Sequence, residues 1–166
     1  PETDTSSGLL GQGLSEGVGM ALGKKLKRSP HSVFVVTGDG ELHEGQIWEG
    51  IMEGAHYKLD NLYLIIDRNN LSSKAAIQEV MGITPLAEKL KAFGWHVEEI
   101  DGHSFGEIHD CFTRLATIQS IPKCIIASTV KRKGVSYMEN NPKWHSRALT
   151  DDEYATAKQE LGGGVS

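Results

Sequence analysis

Four short apolar runs, "SVFVVT", "NLYLIID", "WHVEEID" and "KCIIAST", are separated by segments too long for hairpins. That alternation restricts the chain more than any other feature, because parallel strands need a crossover of a dozen or more residues, usually a helix. Between the first two runs Ile47, Ile51 and Ala55 recur at helical spacing, and after the third Ile108, Cys111, Phe112 and Leu115 do the same. Ahead of the first run Leu14, Val18, Leu22 and Leu26 mark another helix, closed by Lys24, Lys25, Lys27 and Arg28, cations suited to a helix C-terminus. Ser104 with Glu107, and Thr150 with Glu153, have capping-box spacing, so a helix is expected to begin at each. The expected fold class is α/β, an open and mainly parallel sheet flanked by helices on both faces.

A length of 166 residues suits one domain, read here as 1–161, with "GGGVS" at 162–166 as a flexible tail. The formal charge of -5 disfavours a general polyanion binder, so nucleic acid is not expected as a partner. Cys111 and Cys124 have neither CxxC nor metal-ligand spacing and read as reduced, partly buried thiols of a cytoplasmic protein. No apolar run reaches the length of a membrane span, and "PETDTSSG" resembles neither a signal nor a transit peptide. A start at Pro1 rather than methionine suggests trimming or a fragment. Trp48, Trp95 and Trp144 read as core or interface aromatics.

In an open parallel sheet, ligands bind outside the carboxyl ends of the strands. Here those ends carry Gly38, Asp39 and Gly40; then Asp67, Arg68, Asn69 and Asn70; then Asp101, Gly102 and His103; and finally "TVKRKG". Asp39 and Asn69 are separated by about the length of one strand-helix-strand unit, so adjacent strands are expected to present both together. A carboxylate, an amide oxygen and a backbone carbonyl are hard ligands of the kind Mg²⁺ takes, with substrate phosphates supplying others. Glycines beside them would let a diphosphate approach the main chain. Gly-Asp-Gly is also ordinary turn chemistry, and Asp101 to Ser104 reads as a strand-to-helix turn capped by Ser104. "GLLGQGLSEGVG" is not a dinucleotide fingerprint, since Glu16 stands where a third glycine belongs and no strand precedes it.

"GDGELHEGQIWEG", followed at this spacing by "IIDRNNL", resembles the thiamine-diphosphate motif, which opens with GDG and closes with Asn. "TSSGLLGQGLSEGVGMAL", "AHYKLDNLYLIIDRN", "LKAFGWHVEEIDGH" and "TVKRKGVSYMENNPKWH" extend the likeness over nearly the whole chain. Together they resemble the amino-terminal, diphosphate-binding half of transketolase, especially the form split into two subunits. The resemblance implies the thiamine-diphosphate-binding fold, with Asp39 and Asn69 as side-chain ligands of Mg²⁺ and Leu71 as a carbonyl ligand. It places Gly38, Asp39, Gly40, Glu41 and Asn69 around the diphosphate, and Gly8 and Leu10 toward the pyrimidine end of the cofactor. Glu44 and Glu49 match acids at the interface between cofactor-binding modules, and His145 matches a histidine reaching the diphosphate and the substrate, the candidate for catalytic assistance.

The implied activity is two-carbon ketol transfer from a ketose to an aldose, with sugar phosphates as substrates. It would require a partner, the pyrimidine-binding carboxy-terminal subunit, in a hetero-oligomer or dimer of heterodimers. Three departures stand out: "NLSSKAAI" where the family tends to keep Asp-Gly, Arg132 where "TVKGKG" would have glycine, and Ser146 after His145 where glycine is typical. The altered loop, and the family's upstream histidines that this sequence does not include, support a rival expectation of a non-catalytic assembly module. A relative acting on another ketose in specialised metabolism is a further expectation within the same chemistry.

Overall fold

The computed structural model describes residues 3–5, 8–73 and 75–162. Its sheet contains β1 (Val33–Gly38), β2 (Leu62–Arg68), β3 (His96–Asp101) and β4 (Lys123–Ser128), in the order β1-β2-β4-β3 with every pairing parallel. The α/β expectation holds. The residues of "GGGVS" beyond Gly162 lie outside the described residues.

Helix α1 (Gln12–Leu26) precedes the sheet, α2 (Gly45–His56) joins β1 to β2, and α3 (Ile77–Met81) and α4 (Leu86–Ala92) lie between β2 and β3. Helix α5 (Phe105–Leu115) returns the chain from β3 to β4, and α6 (Asp151–Glu160) follows a long excursion. The reversal of direction at β3 puts α5 on the opposite face from α1, α2 and α4. Two apolar clusters follow, one uniting Leu14, Val18, Ile47, Ile51, Leu64, Ile66, Leu90 and Trp95, the other Tyr63, Ile100, Cys111, Leu115 and Ile125. A third, smaller cluster of Val135, Met138, Trp144 and Ala157 ties α6 to the excursion after β4.

The tryptophans pack as expected. Trp95 is buried and donates to the Ile51 carbonyl at 2.8 Å; Trp144 is buried and donates to Tyr137; Trp48 is partly buried beside Phe93 and donates to Leu42. The two cysteines are more deeply buried than expected, and burial together with Glu98 pushes the Cys111 thiol up to about 11. Among the described residues no helix is long and apolar enough to cross a membrane.

Coverage of the sheet is less symmetrical than two-sided burial predicts. Strand β1 lies at an edge, and while Val33, Val35 and Thr37 face the first cluster, Phe34 and Val36 are exposed on the other face. The aromatic group of Phe34, Tyr63 and Phe112 extends α5's cover toward them, with Phe34 and Tyr63 stacked at 4.8 Å.

Both expected capping sites start helices, but they differ. Thr150 and Glu153 make the full reciprocal box. Ser104 Oγ accepts the Glu107 amide, whereas the Glu107 carboxylate reaches back to the Asp101 amide and so fastens α5 to the end of β3. Ser104→Ala is expected to cost about 1 kcal/mol, read as a melting temperature roughly 2–4 °C lower; an unchanged value in calorimetry would show that the cap carries no net stability.

Candidate functional site

Parallel pairing sets the geometry from which the site is built. Because Gly38 aligns with Asp67, the residues leaving β1 and β2 emerge side by side. The chain turns at once into a 3₁₀ segment, Asp39–His43, which drives Asp39 inward to 1% exposure while Asn69 is 8% exposed. Asp39 Oδ2 accepts the Asn70 amide at 2.6 Å. Among the described residues Oδ1 is buried with no hydrogen-bond partner. An orphaned carboxylate oxygen is costly, on the order of 1–3 kcal/mol or more, so this atom is suited to a cation.

Burial pushes the Asp39 carboxyl above the usual carboxylate range, opposed by the Asn70 and Gly40 amides; Asp67 raises it further and Lys131 lowers it. Asn69 is oriented by its neighbours. Its Nδ2 donates to Asp67 Oδ2 at 3.1 Å, and its Oδ1 accepts the Leu71 amide at 3.1 Å, which leaves that oxygen a second lone pair. Asp67 is anchored in turn by the Thr129 hydroxyl from the end of β4. Three adjacent strand ends thus cooperate in one polar cluster.

A cavity of about 390 Å³ opens over this cluster. It gathers Leu10, Gly38, Asp39, Gly40, Glu41, Glu44, Asn69, Leu71 and His145, nearly all the residues singled out from the sequence. A side chain at Gly38 would point into open space, with no heavy atom within 4 Å of its Cβ, so its absence leaves the main chain accessible. Gly8 and Glu49 do not line this cavity. Gly8 is exposed before α1, and Glu49 is exposed on α2. A larger groove of about 1050 Å³ runs between α1 and β1, beside Gly13, Gly17, Met20, Phe34 and Val36. It follows the length of β1 as far as Glu41 but lacks Asp39 and Asn69, so the smaller cavity, which holds both at the strands' carboxyl ends, is the candidate site.

Lys131, exposed only in part, also lines the cavity and is the cation facing Asp39. The run "TVKRKG" stood out in the sequence without a role for this lysine; its place directly after the end of β4 was the available signal. Glu41 lines the cavity too, with Oε1 accepting the Gly11 amide at 2.9 Å. At Gly11, φ is +86° and a Cβ would fall 2.9 Å from Glu44 Cβ, so this entry to α1 requires glycine. His103 is more than a turn residue, because its Nε2 accepts the Val130 amide at 2.8 Å and so braces the loop that carries Lys131.

The donor set fits a hard divalent cation next to a diphosphate: one buried carboxylate with a free oxygen, an oriented amide oxygen, accessible main chain and a neighbouring lysine. Among the described residues no group of three or more His, Cys, Asp or Glu could hold a metal.

This combination of an all-parallel sheet and a polar site off its carboxyl edge defines an α/β ligand-binding domain. The chain belongs to the family described as transketolase, thiamine diphosphate binding domain, whose model matches residues 1–164. It is 41% identical to one of the apulose-4-phosphate transketolase subunits of Phocaeicola vulgatus, over 97% of this chain and 57% of that protein. It is 39% identical to a 6-deoxy-6-sulfo-D-fructose transketolase subunit of Clostridium sp., over 95% of this chain and 58% of that one. Human transketolase is 38% identical over 96% of this chain and 25% of its own length. Among solved structures, transketolase from Campylobacter jejuni superposes with a TM-score of 0.88 at 30% identity, covering 94% of this chain and 26% of that one. The chain therefore spans little more than half the length of the subunits it matches and about a quarter of the longer transketolases.

Proposed function

We infer that this chain is the diphosphate-binding part of a transketolase-type transferase, holding thiamine diphosphate through Mg²⁺ in the cavity over Asp39 and Asn69. The single observation that carries the reading is the buried Asp39 Oδ1, which has no hydrogen-bond partner among the described residues and shares its cavity with Asn69, the two leaving neighbouring strands just beyond the Gly38–Asp67 pair. Asp39, Asn69 and the Leu71 carbonyl are the proposed metal ligands. The open main chain at Gly38, with Gly40 beside it on the cavity wall, admits the diphosphate, and Lys131 offsets its charge. When bound, the cofactor supplies the nucleophilic thiazolium carbon and the electron sink for breaking and remaking a ketose carbon–carbon bond.

The chain's own contribution is binding and orientation. His145, exposed at the rim, is placed to hold a proton or donate a hydrogen bond to a phosphoryl or sugar oxygen entering the cavity. Glu44, the N-cap residue of α2, and Glu49, exposed on that helix, are proposed to meet a second subunit carrying the pyrimidine-binding module, with Gly8 and Leu10 before α1 toward the pyrimidine end of the cofactor. The relatives named as subunits support a partner chain, and the proposed assembly is a hetero-oligomer or a dimer of heterodimers.

Relatives named for apulose-4-phosphate and 6-deoxy-6-sulfo-D-fructose favour a donor ketose outside the common pentose and hexose phosphates. Calorimetric titration tests the half-site. Thiamine diphosphate is expected to bind at least about tenfold more tightly with Mg²⁺ than with chelator, a difference of about 1.4 kcal/mol. Equal binding under both conditions would remove the metal from the site. Reconstitution with a pyrimidine-domain subunit, followed by a panel of donor and acceptor sugars, tests the transfer; complex formation without turnover of any donor would favour the assembly module instead.

A further inference from the structure

The excursion between β4 and α6 brings two residues to the cavity from separate segments, Lys131 near its start and His145 near its end. Arg132, between them in space, is one of the few non-glycine residues with a left-handed backbone, at φ +60°. Left-handed backbone disfavours a side chain unless the surroundings hold it there. The surroundings here are identifiable: Arg132 Nη2 donates to the Trp144 carbonyl and approaches the His145 carbonyl at 3.5 Å.

Those carbonyls close the short 3₁₀ segment Pro142–Trp144, a helix C-terminus, where a cation is favoured. Trp144 is itself seated, buried at 5% exposure, with its indole against Tyr137 and the Arg147 guanidinium. Lys131 is separately fixed from the same side, since its carbonyl accepts the Asn140 amide at 3.1 Å and His103 braces Val130. One guanidinium thus fastens the backbone beside Lys131 to the backbone that carries His145.

We propose that Arg132 is a positioning residue that fixes Lys131 and His145 with respect to each other and to the Asp39 and Asn69 cluster, so that both reach one phosphorylated ligand. The role rests on the reading of the cavity as a diphosphate site. Arg132 touches neither reacting atoms nor cofactor; it acts through the Trp144 and His145 main chain. Because the residue has φ above zero, glycine is the informative replacement: it relieves the backbone while removing the guanidinium.

The test compares the wild-type chain with Arg132→Gly and Arg132→Lys by amide hydrogen exchange, thermal melting and titration with inorganic pyrophosphate in Mg²⁺. Arg132→Gly is expected to keep its melting temperature within about 2 °C, because relief of strain offsets the greater freedom of unfolded glycine. Exchange at residues 131–134 and 144–147 should nevertheless rise about tenfold or more. Pyrophosphate affinity should fall several-fold, and Arg132→Lys, which retains a donor, should recover part of both losses. Unchanged exchange in Arg132→Gly would overturn the clamp. Faster exchange with unchanged pyrophosphate affinity would overturn the positioning role and leave a bond of local structure only. A wild-type chain that binds no pyrophosphate would overturn the diphosphate reading and the positioning role with it, while the exchange data would still decide the clamp.

Discussion

Asp39→Asn is expected to lower Mg²⁺-dependent affinity for thiamine diphosphate by at least about 100-fold, since it removes a charged ligand rather than a supporting partner. The same variant should be the more stable protein when metal is absent. Asp39 is buried with one oxygen unpaired among the described residues, and its folded-state pKa lies above the ordinary 3.8, chiefly through burial. The folded chain therefore holds that proton more firmly than the unfolded chain. By linkage, metal-free stability is greatest below the ordinary carboxylate value and declines as pH rises through the raised one. The amide of the variant does not titrate, so this slope is lost.

The two proteins should accordingly melt nearly together in acid and separate toward neutral pH, where a gain of about 1 kcal/mol would appear as roughly 2–4 °C in favour of the variant. Calorimetry across pH in chelator, followed by titration in Mg²⁺, reads both halves. Retained metal-dependent binding in the variant would displace Asp39 from the proposed site. A variant less stable than wild type at neutral pH would show that Asp39 serves the fold rather than a ligand.

Gly17→Val should cause the largest loss of stability among these substitutions. Helix α1 lies on β1 at close quarters, and a Cβ at Gly17 would stand 2.3 Å from Val35 Cγ2. Val35 belongs to the buried row of an edge strand, and its branched side chain is stiff, so the helix itself must move. Overpacking of this kind costs about 3 kcal/mol, equivalent to a melting temperature lower by roughly 6–12 °C. Gly50, where a Cβ would be 3.1 Å from Leu14 Cγ on the α1 and α2 contact, marks a similar but more forgiving approach. A Gly17→Val chain with wild-type melting would mean that α1 can pull away from the sheet without penalty.

The elements legible in the sequence were those whose signal is local. Apolar runs marked all four strands, 3.6-residue spacing marked α1, α2 and α5, and side-chain caps marked the starts of α5 and α6. The link between Asp39 and Asn69 was legible for a related reason: a strand-helix-strand unit has a characteristic length, so chain separation could stand in for spatial proximity. The short helices α3 and α4 lacked enough turns to show a period. Exposure of Phe34 and Val36 was hidden as well, because "VFVVT" reads alike whether one face or both are covered; coverage depends on where α5 lands.

The bonds around the cavity were the least legible. Glu41 with Gly11, His103 with Val130 and Arg132 with Trp144 each join a side chain to main chain far along the sequence. No periodicity records such a choice of partner, and residue type alone cannot distinguish a brace from a solvated charge. Arg132 carried one visible clue, its place where the resembled family has glycine, and the positive φ explains what that clue meant.

The bond from Glu41 to Gly11 also gives the domain a thermodynamic property. Glu41 lies two residues beyond Asp39 in the same turn, and its carboxylate reaches the amide that opens α1. Anything that stiffens the turn by engaging Asp39 reduces the entropy still to be lost when the stretch from Gly8 to Gly11 settles against another molecule. Linkage is reciprocal, so if the proposed ligand favours settling of that stretch, a protein surface that immobilises it would strengthen ligand retention at the turn by the same factor. Under the proposed function, this single carboxylate would make loading and assembly two readings of one equilibrium.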